Sequence, residues 1–241
     1  MNKDLTAVIP LESNPEVFDR FAYNLGLSTS YNFNDIFSID DAELLAFLPR
    51  PVIAIVLLFP IQKNESLSPN YHSSNLISKD EQPIWLKQNF QNACGLYALL
   101  HILINNKRKL RKGSPLDEFL NNNKEIICSN IDQFIINFIQ KHNQDFNESS
   151  GETTNPGPET NINLHFISFI SYDGKLWELD GRSVKEEPLL LGNVNKMNQI
   201  DLENVDLINQ PIIIKRIKKY MNNVDSESDK LKFSLMGLSK Q

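Results

Sequence analysis

Eight consecutive apolar residues, Val52-Ile53-Ala54-Ile55-Val56-Leu57-Leu58-Phe59, constrain this chain more than any other stretch. The run is far too short to cross a bilayer, and its β-branched content reads as a strand buried on both faces. Such a strand needs cover on each side, so helices must flank the sheet it belongs to. Helical patterns are present on either side of it. Asn14-Pro15 has the order of a cap and a first helical residue, with Phe18, Phe21, Ala22 and Leu25 on one face before Gly26. Asp40 to Glu43 resembles a capping box with Asp40 in the cap position, opening a short helix that Pro49 stops. Asp117 to Asn121 and Ile131 to Ile139 read as two more helices, and Pro211 to Tyr220 as a basic amphipathic one. Pro188 to Gly192 and Phe233 to Leu238 read as further strands. The expected fold class is therefore α/β in the α+β sense, with helices packed on a sheet.

At 241 residues a single domain spanning 1–241 is expected. A chain of this length buries roughly 70 to 75 per cent of its unfolded surface, enough to fold without disulfide or metal. Its two cysteines lie in different contexts, which points to free thiols and a reducing compartment, cytoplasmic or nuclear. Residues 1–10 hold no long apolar stretch, so no signal peptide is expected. The net charge of −6 argues against nucleic acid and anionic membranes as partners and suits a basic one.

The chemistry centres on Cys94. Leu96, Leu99, Leu100 and Leu103 form an apolar stripe at helical spacing, and Asn92 is a suitable cap, which places Cys94 in the first turn. There the helix dipole and unpaired amides favour the thiolate. The best base is His165, in the strand-like run Leu164 to Ile170. Asp173-Gly174 follows as a two-residue turn, and Lys175 to Asp180 returns. If that turn sets the register, Tyr172 faces Lys175 and Ile167 faces Asp180, leaving His165 one diagonal step from the carboxylate. Gln88, just before the helix, could join the Cys94 amide around an oxyanion.

The remaining candidates read as structural. His72, His101 and His142 are expected to be solvated or structural, and no His pair has metal-ligand spacing, so neither metal nor cofactor is expected. Cys128, within Ile126-Ile127-Cys128, is expected to be inert core, and Lys215, Arg216, Lys218 and Lys219 a solvated face. Gln62 to Gln82 reads as a surface loop. The polar stretch from His142 to Asn163 is either a loop at the active site or a disordered insertion.

Gln88, Asn92-Ala93-Cys94-Gly95-Leu96, His165 and Leu179-Asp180-Gly181 resemble the catalytic motifs of the ubiquitin carboxyl-terminal hydrolases, cysteine peptidases with a papain-like active site. The resemblance extends from Leu11-Glu12-Ser13-Asn14-Pro15 through Leu44 to Pro51 and Val56 to Pro60, and ends with Phe233 to Leu238, looking most like short fungal forms. It implies Cys94 as nucleophile, His165 as general base and later acid, Asp180 as orienting carboxylate and Gln88 as oxyanion donor. It also implies a central antiparallel sheet flanked by helices, a knotted backbone, and a loop over the active site at about 142–163. The expected activity is thiol-dependent hydrolysis of small or flexible adducts from the C-terminal glycine of ubiquitin or a ubiquitin-like protein, by a monomer. A Cys-His-Asp acyltransferase and a non-catalytic ubiquitin-binding module are the competing readings.

Overall fold

The computed structural model describes residues 7–61, 78–123, 127–142, 145, 163–195, 204–224 and 226–241. At its centre lies β2 (Val52–Pro60), the strand anticipated from the apolar run. It pairs antiparallel with β3 (Leu164–Tyr172) on one side and β6 (Ser234–Lys240) on the other. With β1 (Tyr31–Asp35), β4 (Lys175–Leu179) and β5 (Leu189–Asn193) they form a six-stranded sheet in the order β1-β6-β2-β3-β4-β5, every neighbour antiparallel. The C-terminal strand thus inserts between the first two.

Alternation along β2 divides the core. Ala54 and Val56 join one apolar cluster, and Ile55, Leu57 and Phe59 join the other. The first cluster is capped by α1 (Pro15–Leu25), α3 (Cys94–Asn105), α4 (Pro115–Asn122) and α5 (Ile127–Lys141). The second lies beneath α6 (Pro211–Asn222). α1 starts and stops where expected: the Asn14 side chain accepts from the Glu16 amide, and Gly26 closes the helix at φ 129°. Phe18, from its buried face, packs on Phe33 of β1 and Phe166 of β3.

Several expectations need correction. α3 is buried all round from Cys94 to Ile104 rather than along one stripe, because it runs through the middle of the core. In α2 (Ala42–Ala46) the cap is Asp41, whose carboxylate accepts from the Glu43 and Leu44 amides, while the Asp40 amide is held by Ser38. Cys128 is exposed, because it lies one residue off the Ile127, Ile131, Ile135 stripe that buries α5. Arg216 is buried rather than solvated, because Ile213, Arg216, Ile217 and Tyr220 occupy the inner stripe of α6. The strand β1 had no reading in the sequence, its residues Tyr-Asn-Phe-Asn-Asp being mostly polar.

Residues 62–77, which include His72, and nearly all of 142–163 lie outside the described residues, and with them the loop over the active site and the threading on which a knot depends.

Candidate active site

Cys94 is the first residue of α3, as the apolar pattern implied, but Asn92 does not cap it. Ala93 occupies the cap position without a side-chain hydrogen bond, and Asn92 turns the chain into the helix at φ 61°, a conformation Asn tolerates. Gly95 lets this helix start come close to its neighbours: a Cβ there would lie 3.2 Å from the Leu11 side chain and 3.3 Å from the Phe166 ring. The thiol is thereby brought against the beginning of β3.

The hairpin register holds as deduced, with Tyr172 opposite Lys175 and Ser168 opposite Leu179. Beyond the last ladder pair, His165 Nε2 lies 2.7 Å from Asp180 Oδ1. The same oxygen accepts the Arg182 amide at 2.8 Å, which fixes the carboxylate. His165 is buried, and its Nδ1 makes no hydrogen bond of standard geometry among the described residues. Its interaction with the Cys94 thiol is therefore a loose one, as is common before substrate binds.

Electrostatics couple the three groups. Burial pushes the Cys94 thiol up, but His165, the Phe166 amide and Arg182 together outweigh it, and the net direction is down. Burial alone would strip the proton from His165. Hydrogen bonds and charge from Asp180 and Cys94 prevail and raise it to about 9. For Asp180 burial pushes upward, while His165 and the Arg182 amide hold the carboxyl below its ordinary value. This arrangement favours a thiolate and an imidazolium side by side.

An extended strap before α3 supports the pair. Trp85 Nε1 donates to the Asp180 carbonyl at 2.8 Å, and the Gln88 amide donates to the Gly181 carbonyl at the same distance. The strap is tied to α3 through the Leu86 amide, which donates to His101 Nε2 at 2.9 Å, and through Asn105. His101, fully buried, is therefore structural. Gly181 is needed where the strap crosses, since a Cβ would lie 3.1 Å from Gln88 Cβ. Gln88 itself donates from Nε2 to the Phe90 carbonyl at 2.9 Å, a bond that uses one of the two amide hydrogens.

A cysteine at a helix start facing a buried histidine and its part-buried aspartate is the arrangement that the sequence motifs implied. The model of the family described as "Ubiquitin carboxyl-terminal hydrolase, family 1" matches residues 8–221. The chain belongs to this family. It is similar to the ubiquitin carboxyl-terminal hydrolase YUH1 of Saccharomyces cerevisiae, with 42% identity over 245 residues, 99% of this chain and 98% of the relative. A ubiquitin carboxyl-terminal hydrolase of Aplysia californica is 35% identical over 201 residues, 78% of this chain and 86% of its own. The fold of this chain is similar to that of the Trichinella spiralis UCH37 catalytic domain bound to ubiquitin vinyl methyl ester, with TM-score 0.67 at 19% identity, covering 97% of this chain and 95% of that one.

In this ubiquitin carboxyl-terminal hydrolase, Cys94 opens onto a cleft of about 350 Å³ whose walls include Leu11, Glu12, Leu58, Asn92, Phe166 and Arg182. Arg182 escaped the sequence reading although it stands two residues after Asp180. Trp85 and His101 carried no catalytic spacing, and their part in holding the strap is visible only in three dimensions. Among the described residues no cluster of His, Cys, Asp or Glu could hold a metal ion.

Proposed function

We propose that the chain is a thiol-dependent deubiquitinating hydrolase acting at the C-terminal glycine of ubiquitin or a ubiquitin-like protein. The observation that carries this reading is the His165–Asp180 bond beside Cys94, whose thiol opens onto the cleft. Cys94 thiolate attacks the glycine carbonyl, and the resulting oxyanion is held by the Cys94 amide at the helix start and by the Gln88 side chain. His165 gives its proton to the leaving amine, producing a thioester. Water, deprotonated by His165, then releases the carboxylate and the thiol. Asp180 keeps the ring oriented and stabilises its charged form.

The finer reading is a single catalytic domain over 1–241, working as a monomer in the cytoplasm or nucleus on small or flexible adducts. Two free cysteines, one of which must stay reduced to act, support a reducing compartment. No helix among the described residues is long and apolar enough to cross a membrane.

The test is release of a fluorescent amide from the ubiquitin C-terminus, with a ubiquitin-like substrate in parallel. Cys94→Ala is expected to abolish turnover while keeping the fold and substrate binding. Turnover retained by Cys94→Ala defeats the assignment, and binding without turnover by wild type makes the chain a binding module.

A further inference from the structure

α6 carries a charge into the core. Arg216 Nε lies 2.5 Å from Glu178 Oε2 and Nη2 2.8 Å from Oε1. The Tyr220 hydroxyl donates to Glu178 Oε1 at 2.7 Å and accepts from Arg216 Nη2 at 3.0 Å, while the guanidinium stands 4.7 Å from the Tyr220 ring centre. All three residues are buried. Apolar side chains of similar volume would generally be no less stable at such a place, because desolvating the two charges offsets their attraction. What the ion pair adds is direction, since a planar guanidinium paired through Nε and Nη2 with both carboxylate oxygens holds the two groups in a narrow range of orientations.

That geometry reaches the site by two routes. Glu178 stands on β4 two residues before Asp180, so anchoring it fixes the strand end that presents the carboxylate. The Tyr220 ring packs on Phe59 with centroids 4.6 Å apart, and Phe59, directly opposite His165 in the β2–β3 ladder, sets its ring against the imidazole at 5.7 Å and 79°. The His165 ring has a soft terminal torsion and only a loose contact to Cys94, so its orientation rests on the Asp180 bond and on the Phe59 wall.

We propose that the buried Glu178–Arg216–Tyr220 cluster is a positioning device for catalysis, holding Asp180 through β4 and His165 through Phe59. The proposal rests on the hydrolase reading above, and a small displacement of the imidazole is enough to slow such a reaction. Among the described residues, the charged and titratable groups that act on the His165–Asp180 pair are Cys94, which adjoins His165, and His101, Arg182 and Tyr220, which act on Asp180.

The test uses the full chain with Cys128→Ser to silence the exposed thiol, and two readouts. One is turnover of the ubiquitin amide, and the other is the pH profile of Cys94 alkylation by iodoacetamide, which needs no substrate. Tyr220→Leu is expected to lower kcat about tenfold with KM within about twofold, and to move the alkylation profile about half a unit to higher pH as the thiolate loses its aligned imidazolium. Tyr220→Phe, which keeps the ring, is expected to lose only about threefold in kcat. A lowered melting temperature with kcat and alkylation profile both at wild-type values would reduce the cluster to a structural role and overturn the proposal. If Tyr220→Leu fails to fold, Tyr220→Phe and the paired Glu178→Leu, Arg216→Met variant decide by the same two readouts. A wild type that turns over no ubiquitin amide sinks the hydrolase reading instead, while the alkylation profiles still judge the positioning.

Discussion

Two buried histidines lie near the same carboxylate and titrate in opposite directions. His165, at the open end of β3, is raised to about 9, whereas His101, in the middle of α3, is lowered to about 4. Burial, the largest influence on both, disfavours the imidazolium. Asp180 adds a favourable charge to each, but only His165 bonds it directly, at 2.7 Å, and only His165 also meets the Cys94 thiol. His101 faces Leu86 instead, whose amide stands at 2.9 Å and whose carbonyl at 3.2 Å from Nε2. The shorter contact makes that nitrogen an acceptor, the role of a neutral ring. Proximity to a carboxylate therefore does not charge a buried imidazole. A direct hydrogen bond does.

The strongest way to break this contrast is to make His165 resemble His101. Asp180→Asn removes the charge and leaves the shape, so the imidazole loses its main support and its preferred tautomer. We expect kcat to fall by roughly 10³ to 10⁴, with Cys94 no longer alkylated quickly near neutral pH. Near-normal kcat in this variant would remove Asp180 from the mechanism. The melting temperature near neutral pH should fall as well, because the stabilisation of the charged His165 goes with the carboxylate, even though the strap bonds to the Asp180 and Gly181 carbonyls are untouched.

Stability against pH sharpens the same contrast. The folded pKa of His165 lies above its unfolded value near 6.5, so its contribution is complete below about pH 6.5 and is lost as pH rises through about 9. His101 is depressed, and the unfolded chain takes up its proton first. The folded state should therefore lose on the order of 3 kcal/mol as pH falls from about 6.5 to about 4. His101→Leu should cost about 1 to 3 kcal/mol at neutral pH, because the Leu86 amide loses its acceptor, yet flatten that acid limb. Denaturant melts of both proteins at pH 4.5 and 7 decide this, and an unchanged acid limb would show that another group carries it.

The smallest effect belongs to the strap between the two histidines. Trp85→Phe deletes the Nε1 bond to the Asp180 carbonyl and keeps most of the ring. It should cost about 1 kcal/mol in stability and about twofold to threefold in kcat, measured by melts and by the ubiquitin amide assay. A larger loss in kcat than in Asp180→Asn would make the strap, rather than the Asp180 charge, the main support of His165.

Much of the site was legible because its spacing is local. A two-residue Asp173-Gly174 turn dictates parity along the hairpin, so His165 and Asp180 fall within reach of each other before any tertiary contact is known. The Cys94 helix start follows from the apolar residues after it. The cap did not, since Asn92 can serve equally as a cap or as a residue of positive φ, and the structure takes the second, at φ 61°. Arg216 was misplaced for a different reason. Its neighbours Lys215, Lys218 and Lys219 suggest a basic surface, yet its position on the Ile213 to Tyr220 stripe already marks it as inward, and what makes the burial tolerable is Glu178, 38 residues earlier in the chain.

By itself the sequence determined most of the elements, the polar strand β1 excepted, together with the parity of the hairpin and the motif of Gln88, Cys94, His165 and Asp180, all set by local propensity, alternation and residue chemistry. Only the tertiary structure decided which imidazole is charged. That choice depends on desolvation and on partners brought from separate elements, namely Asp180 and Cys94 for one ring and the Leu86 backbone for the other. The hairpin pattern brings Asp180 within reach of His165, but no pattern along the chain encodes the burial of either ring or the approach of Cys94 and the Leu86 backbone.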